Sequence, residues 1–211
     1  LGGAELPAAQ KARFKAVEKE LAELSARFDD NLLDATNAWV LYVDDKALLA
    51  GIPHDVLADA KAAAEADGHA GWKLTLRMPC YLPVMSYADS RALRATLHRA
   101  NATRASDMGA SPQWDNTAVI RRIVLLRREA ALLLGYANFG EVSLVPKMAT
   151  SVDDVLGFLR DLARRAKPFA ERDYALLVTF ARDELGLADL APWDLAYASE
   201  KLKARRFAFS E

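Results

Sequence analysis

The sequence predicts a mostly α fold, a bundle-like set of helices carrying one small antiparallel β ribbon, on three observations. Apolar residues recur at intervals of three and four over most of the 211 positions, the spacing of a stripe along one side of a helix. Strict alternation of apolar and polar side chains occurs in one short run only. No period of about 20 to 50 residues repeats, and no low-complexity tract divides the chain.

The first helix is expected over 7–37, where Phe14, Val17, Leu21, Leu24, Phe28 and Leu32 share a stripe and Pro7 suits the first turn. Residues 38–43 are rich in strand formers, Trp39 to Val43. In 72–77, Trp72, Leu74 and Leu76 alternate with Lys73, Thr75 and Arg77, so the two runs pair as the ribbon. Between them, 53–67 is an alanine-rich helix with Val56, Leu57, Ala60 and Ala64 on one side, and Gly68 ends it. Pro83 restricts the segment after Met78-Pro79-Cys80 to a turn or half-helix. Asp89 is the expected N-cap of a helix to about residue 106 that buries Leu93, Leu97 and Ala100.

A polar loop over 107–112 leads to a helix capped by Asp115 or Asn116 and ended at Gly135. Its apolar residues Val119, Ile120, Ile123, Val124, Leu126, Ala130, Leu133 and Leu134 form a face wide enough to be packed on two sides. Ser151 and Asp154 resemble a capping box that opens a helical region through Glu184, kinked or divided at Pro168 and closed by Gly186. A last helix begins near Pro192 or Trp193 and carries Leu195, Tyr197 and Leu202.

Apolar residues make up 52% of the chain, enough for a sizeable core. Lys and Arg number 28 against 29 Asp and Glu, a formal charge of -1, so no long-range field favours nucleic acid or an anionic membrane. No apolar run approaches the roughly 20 residues of a bilayer span. The single cysteine, Cys80, excludes an internal disulfide and fits a reducing, cytoplasmic setting. The chain opens Leu1-Gly2-Gly3 without an initiator Met, and 201–211 stops without a helix terminator, so both ends are expected to be cut ends.

The residues offer little chemistry of their own. Zinc catalysis on a helix needs two histidines one turn apart, as in His-Glu-x-x-His, but His54 is followed by Asp55, His69 by Ala70 and His98 by Arg99. All three read as surface or satisfied polar side chains. Cys80 has no histidine near it in sequence and reads as a small buried or strand-end thiol. Asp29-Asp30, Asp44-Asp45 and Asp153-Asp154 are expected to serve caps and turns at element ends. Arg121, Arg122, Arg127 and Arg128 form the one dense basic cluster, with Arg121 and Arg128 on one face, but the neutral chain lacks the surface of a nucleic-acid binder. Asn101-Ala102-Thr103 matches a glycosylation sequon that a cytosolic helix leaves unused, and Gly2-Gly3 lacks the rest of a phosphate loop.

Several longer strings carry a resemblance. They are Leu32-Leu33-Asp34-Ala35-Thr36, Leu49-Ala50-Gly51-Ile52-Pro53, the run from Leu74 to Met85, and Thr103-Arg104-Ala105-Ser106-Asp107. Trp114-Asp115-Asn116, Leu134-Gly135-Tyr136-Ala137-Asn138, Lys147-Met148-Ala149 and Pro192-Trp193-Asp194-x-x-Tyr197 follow. In order and spacing, across nearly the whole chain, they resemble the thimet oligopeptidase family of zinc metallopeptidases, in its oligopeptidase A branch. Two positions depart from the family pattern: Ala198 stands where a second tyrosine is frequent, and Asn101 where an aromatic is common before Thr-Arg.

The resemblance implies a cytosolic zinc metalloendopeptidase acting on short unfolded peptides in a deep channel between two largely helical halves. Zinc-activated water and a general-base glutamate would do the chemistry. Residues 1–211 would be one helical segment of the wall, with no internal boundary drawn, preceding the catalytic zinc region. No catalytic, cofactor-binding or metal residue is therefore assigned here, and zinc belongs to the full-length parent. The expected partners are peptides, through the parent, and the missing C-terminal catalytic region, with neither nucleic acid nor membrane. Truncation would leave Trp193, Leu195, Tyr197, Leu202, Phe207 and Phe209 short of packing, so the chain should fray after Ala204 or self-associate through this surface. The alternative reading is a non-catalytic helical interaction module.

Overall fold

The computed structural model describes residues 2–207, as eight α-helices and one two-stranded sheet among those residues. Two compact units form. The first is built from residues 2–32 and 113–169, the second from 33–112 and 170–207, so the helices α1 (Ala8–Ala38) and α7 (Val152–Leu185) each contribute to both.

In the second unit, β1 (Val40–Val43) and β2 (Trp72–Thr75) pair antiparallel with Val40 opposite Thr75 and Val43 opposite Trp72. The ribbon is the predicted one, with shorter strands. Its close start depends on Gly71: φ is +81°, and a Cβ there would stand 2.4 Å from the Val43 carbonyl oxygen. α2 (His54–Ala66) lies between the strands in sequence and ends in a Gly68 of φ +74°. It buries Ala60 and Ala64, while Leu74 and Leu76 project from the ribbon into a core shared with Val84, Met85, Leu93 and Leu97.

Two expectations in this unit are corrected. Residues after Arg77 form a full helix, α3 (Met78–Tyr87), through Pro83. One intrahelical hydrogen bond is lost, and burial of Tyr81, Val84 and Met85 outweighs it. The N-cap of α4 (Arg91–Thr103) is Ser90, whose Oγ accepts the Leu93 N–H at 3.3 Å. Asp89 instead accepts from the Tyr197 hydroxyl at 2.9 Å, a long-range partner invisible to local pattern. The last turns of α7 bury Leu177 and Ala181 with Ala198 of α8 (Leu195–Phe207). α8 remains helical beyond Ala204. Trp193, Tyr197 and Leu202 are half-buried, Leu195 and Phe207 are exposed, and Phe209 lies outside the described residues.

In the first unit, α5 (Thr117–Leu133) packs Leu126 and Ala130 on Phe14 and Val17 of α1. Asp115 and Asn116 share the work expected of one cap: Asp115 Oδ1 accepts the Thr117 N–H at 2.8 Å, while buried Asn116 bonds Asn31 at 2.8 Å. The broad apolar face of α5 is covered on one flank only among the described residues, since Ile120 and Val124 are exposed. α6 (Phe139–Leu144) is capped by Asn138, which accepts the Glu141 N–H at 3.1 Å. Pro168 does not divide α7; it sits in an exposed stretch where water can bond the carbonyl left unpaired. Asp29 and Asp30 lie within α1 rather than at its end, a correction to the end-of-element reading. No helix among the described residues is long and apolar enough to cross a membrane.

Candidate functional site

The densest polar centre is built on one buried carboxylate. Arg91 and Arg94 stand one turn apart on α4, and a short 3₁₀ turn, Pro192–Asp194, presents Asp194 to both. Arg94 Nη2 donates to Asp194 Oδ1 at 2.7 Å and Arg91 Nη2 to Oδ2 at 2.8 Å. The Ala191 N–H adds a third donor at 3.0 Å. Arg94 also donates from Nη1 to the Ala88 carbonyl at 2.6 Å and from Nε to the Trp193 carbonyl at 3.2 Å, and its guanidinium lies 4.0 Å over the Tyr197 ring.

Both carboxylate oxygens of Asp194 are met by donors. Burial alone would raise the Asp194 pKa, but the hydrogen bonds from Arg91, Arg94 and Ala191 together hold it below the usual carboxylate range. Tyr197 is pushed up to about 12, first by burial and then by the Asp89 carboxylate that accepts its proton. Asp194 thus stays charged and Tyr197 neutral across the physiological range. The centre clamps α4 to α8.

The second candidate is a cleft of about 350 Å³ in the same unit, at the small end of ligand pockets. Val56, Ala60, Ala63 and Pro79 supply apolar lining; Asp59, Lys73 and Arg77 supply charge. Lys73 is paired with Asp67, and Arg77 donates from Nε and Nη2 to Asn37 Oδ1 at 3.1 and 3.0 Å. Cys80 lines this cleft, with its Sγ accepting the Thr75 N–H at 3.3 Å. Such a cleft can bind, and no histidine lines it.

The three histidines are dispersed. His54 opens α2 in solvent, His69 stacks on Tyr42 at 3.9 Å, and His98 meets Trp193 edge-on at 6.0 Å. No three His, Cys, Asp or Glu side chains among the described residues are grouped to hold a metal ion, so these residues do not fit a zinc site. Asp45 caps a 3₁₀ turn by accepting the Ala47 N–H, and Asp154 sits in the first turn of α7, where its own N–H bonds Ser151 Oγ. The basic cluster is divided among separate tasks: Arg122 pairs with Glu20, Arg127 lies over Phe139, and Arg121 and Arg128 are exposed. Asn101 accepts from Arg104.

Ala198 is fully buried against Leu177 and Ala181, so a tyrosine in its place would displace the end of α7 from α8. Arg91 and Arg94 were not singled out by sequence reasoning. The available signal was an arginine three residues before Leu97 and one after Leu93, on a stripe predicted to be buried, which requires a buried counter-charge.

The chain is 46% identical over 212 aligned positions to oligopeptidase A of Salmonella typhimurium, covering 100% of this chain and 31% of that protein. It is 38% identical to a probable cytosolic oligopeptidase A of Arabidopsis thaliana, again over 100% of this chain and 31% of the relative. Dipeptidyl carboxypeptidase of Escherichia coli is 31% identical over the same shares. The chain therefore spans about a third of the length of these relatives. A family-wide profile, Peptidase family M3, matches residues 84–211, which run from α3 through α8 and include the Asp194 centre. With more than half of its length matched by that profile, the chain belongs to Peptidase family M3.

Proposed function

We propose that this chain is a helical segment of a cytoplasmic zinc metallo-oligopeptidase of the oligopeptidase A type, which hydrolyses short unfolded peptides, and that it forms part of the substrate-channel wall and is inactive alone. The observation that carries this reading is the 46% identity over the whole chain to a protein about three times as long. The internal chemistry supports a scaffold role. Asp194, the one carboxylate among the buried polar side chains of the described residues, is held by Arg91, Arg94 and a backbone amide, and holds helices together. The zinc ligands belong to the remainder of the parent, and the residues present here take no part in the step at the metal.

The test is made on the complete parent polypeptide. Purified parent is expected to retain stoichiometric zinc, to cleave short peptides and to leave folded proteins intact. Arg77→Ala, in the cleft, is expected to raise KM for acidic peptides with kcat unchanged, the signature of a wall contact made equally in ground and transition states. Residues 1–211 alone should neither retain zinc after dialysis nor cleave peptides. A parent without zinc or peptidase activity would leave the interaction-module reading in its place.

A further inference from the structure

The first half of α7 is a long helix with almost no cover. Over residues 153–169 only Val155 and Asp161 are even half-buried. Yet the segment is amphipathic: Val155, Phe158, Leu159, Leu162 and Ala166 recur at the three-and-four spacing of a single stripe. Phe158, Leu159 and Leu162 are exposed to 64, 52 and 48%. The charges beside the stripe are settled on the helix itself, since Arg164 and Arg165 both pair with Asp161. An apolar stripe roughly 17 Å long, about three turns, has the dimensions of a helix–helix contact.

We infer that this stripe is the seat of an apolar helix supplied by the part of the same polypeptide that lies outside residues 1–211; the inference rests on the peptidase reading above. Two facts select that occupant over a second copy. Relatives carry about twice as much further chain as the segment matched here, enough to supply the helix. The three large side chains offer on the order of 300 Å² of apolar surface, against roughly 800 Å² per partner in a stable interface between separate chains. A covalently tethered helix needs no such area, because the tether supplies a high effective concentration.

The experiment uses the parent with its cysteines replaced, Cys80→Ser among them, and compares maleimide labelling of single cysteines introduced into that background. Leu162→Cys and Ala166→Cys lie on the stripe; Arg160→Cys lies about 200° around the helix from position 162. The two stripe positions are expected to label at least ten-fold more slowly than position 160, at every protein concentration. Ala166→Cys adds little volume and keeps the test valid if Leu162→Cys fails to fold. Equal rates at positions 160 and 166 overturn the inference, and so does protection that disappears on dilution, which assigns the stripe to a second copy. Peptide hydrolysis is assayed separately: an active parent with labelled stripe positions refutes the seat alone, and a protected stripe in an inactive parent refutes the peptidase reading alone.

Discussion

The unit formed by residues 33–112 and 170–207 gathers twelve buried side chains into one core and inters a carboxylate between two arginines. The unit formed by 2–32 and 113–169 has a core cluster of four, Phe14, Val17, Leu126 and Ala130, and its cross-helix ion pairs, Arg13 with Glu129 and Arg122 with Glu20, stay in solvent. It also exposes Ile120, Val124, Phe158 and Leu162. A buried charge survives only where packing excludes water and every lone pair is met, so the Asp194 centre marks the unit that completes its own core.

The largest test of this contrast is Asp194→Ala. It leaves Arg94 buried without a counter-charge and is expected to cost about 3–5 kcal/mol, read by urea unfolding through tryptophan fluorescence. A loss below about 1 kcal/mol would mean that water reaches Arg94 and that the two units do not differ in kind.

Leucine truncation compares the cores directly. Leu97 and Leu126 are both fully buried. Leu97→Ala in the larger core should cost about 3–5 kcal/mol, and Leu126→Ala about 2–3, because sparse surroundings collapse into a cavity more readily. Equal losses would show that the smaller cluster is packed as rigidly as the larger.

Titration probes the second unit next. The Asp194 pKa is depressed in the fold, so its contribution is present above the unfolded value of about 4 and is lost as pH falls through the lower folded value. Tyr197 is raised to about 12, so its contribution is complete below the unfolded value of about 10 and is lost as pH rises toward 12. Tyr197→Phe should reduce the alkaline loss, measured as the urea midpoint between pH 9 and 11, and leave the part owed to Tyr42 and Tyr81, whose pKa values are also raised. An unchanged alkaline slope in that variant would assign the loss to other groups.

The smallest effect is expected at the surface. Glu20 has its pKa lowered by the Arg122 hydrogen bond, yet both side chains are exposed, and water and salt screen them. Glu20→Gln should leave the urea midpoint unchanged at moderate salt. A clear drop that salt abolishes would show that the first unit depends on these pairs.

Sequence by itself determined the helical class, the ribbon and most element ends, because these follow from local periodicity and from residues whose backbone preferences act in place. Gly68 and Gly186 close their helices at positive φ as their positions require. Local pattern failed where a distant partner decided the outcome. Asp89 is a good cap by composition, but Tyr197 and Lys201 claim its carboxylate and Ser90 caps α4. Pro83 and Pro168 look like helix breaks, and one is carried by burial of its neighbours while the other is carried by solvent. Arg91, Arg94 and Asp194 are ordinary charged residues along the chain. Asp194 lies about 100 positions from the two arginines in sequence, and only folding brings them to 2.7–2.8 Å. A burial stripe can be counted from spacing, whereas what lies against it, and whether anything does, is set by tertiary packing: Leu126 is fully covered and Val124, two residues earlier, is exposed.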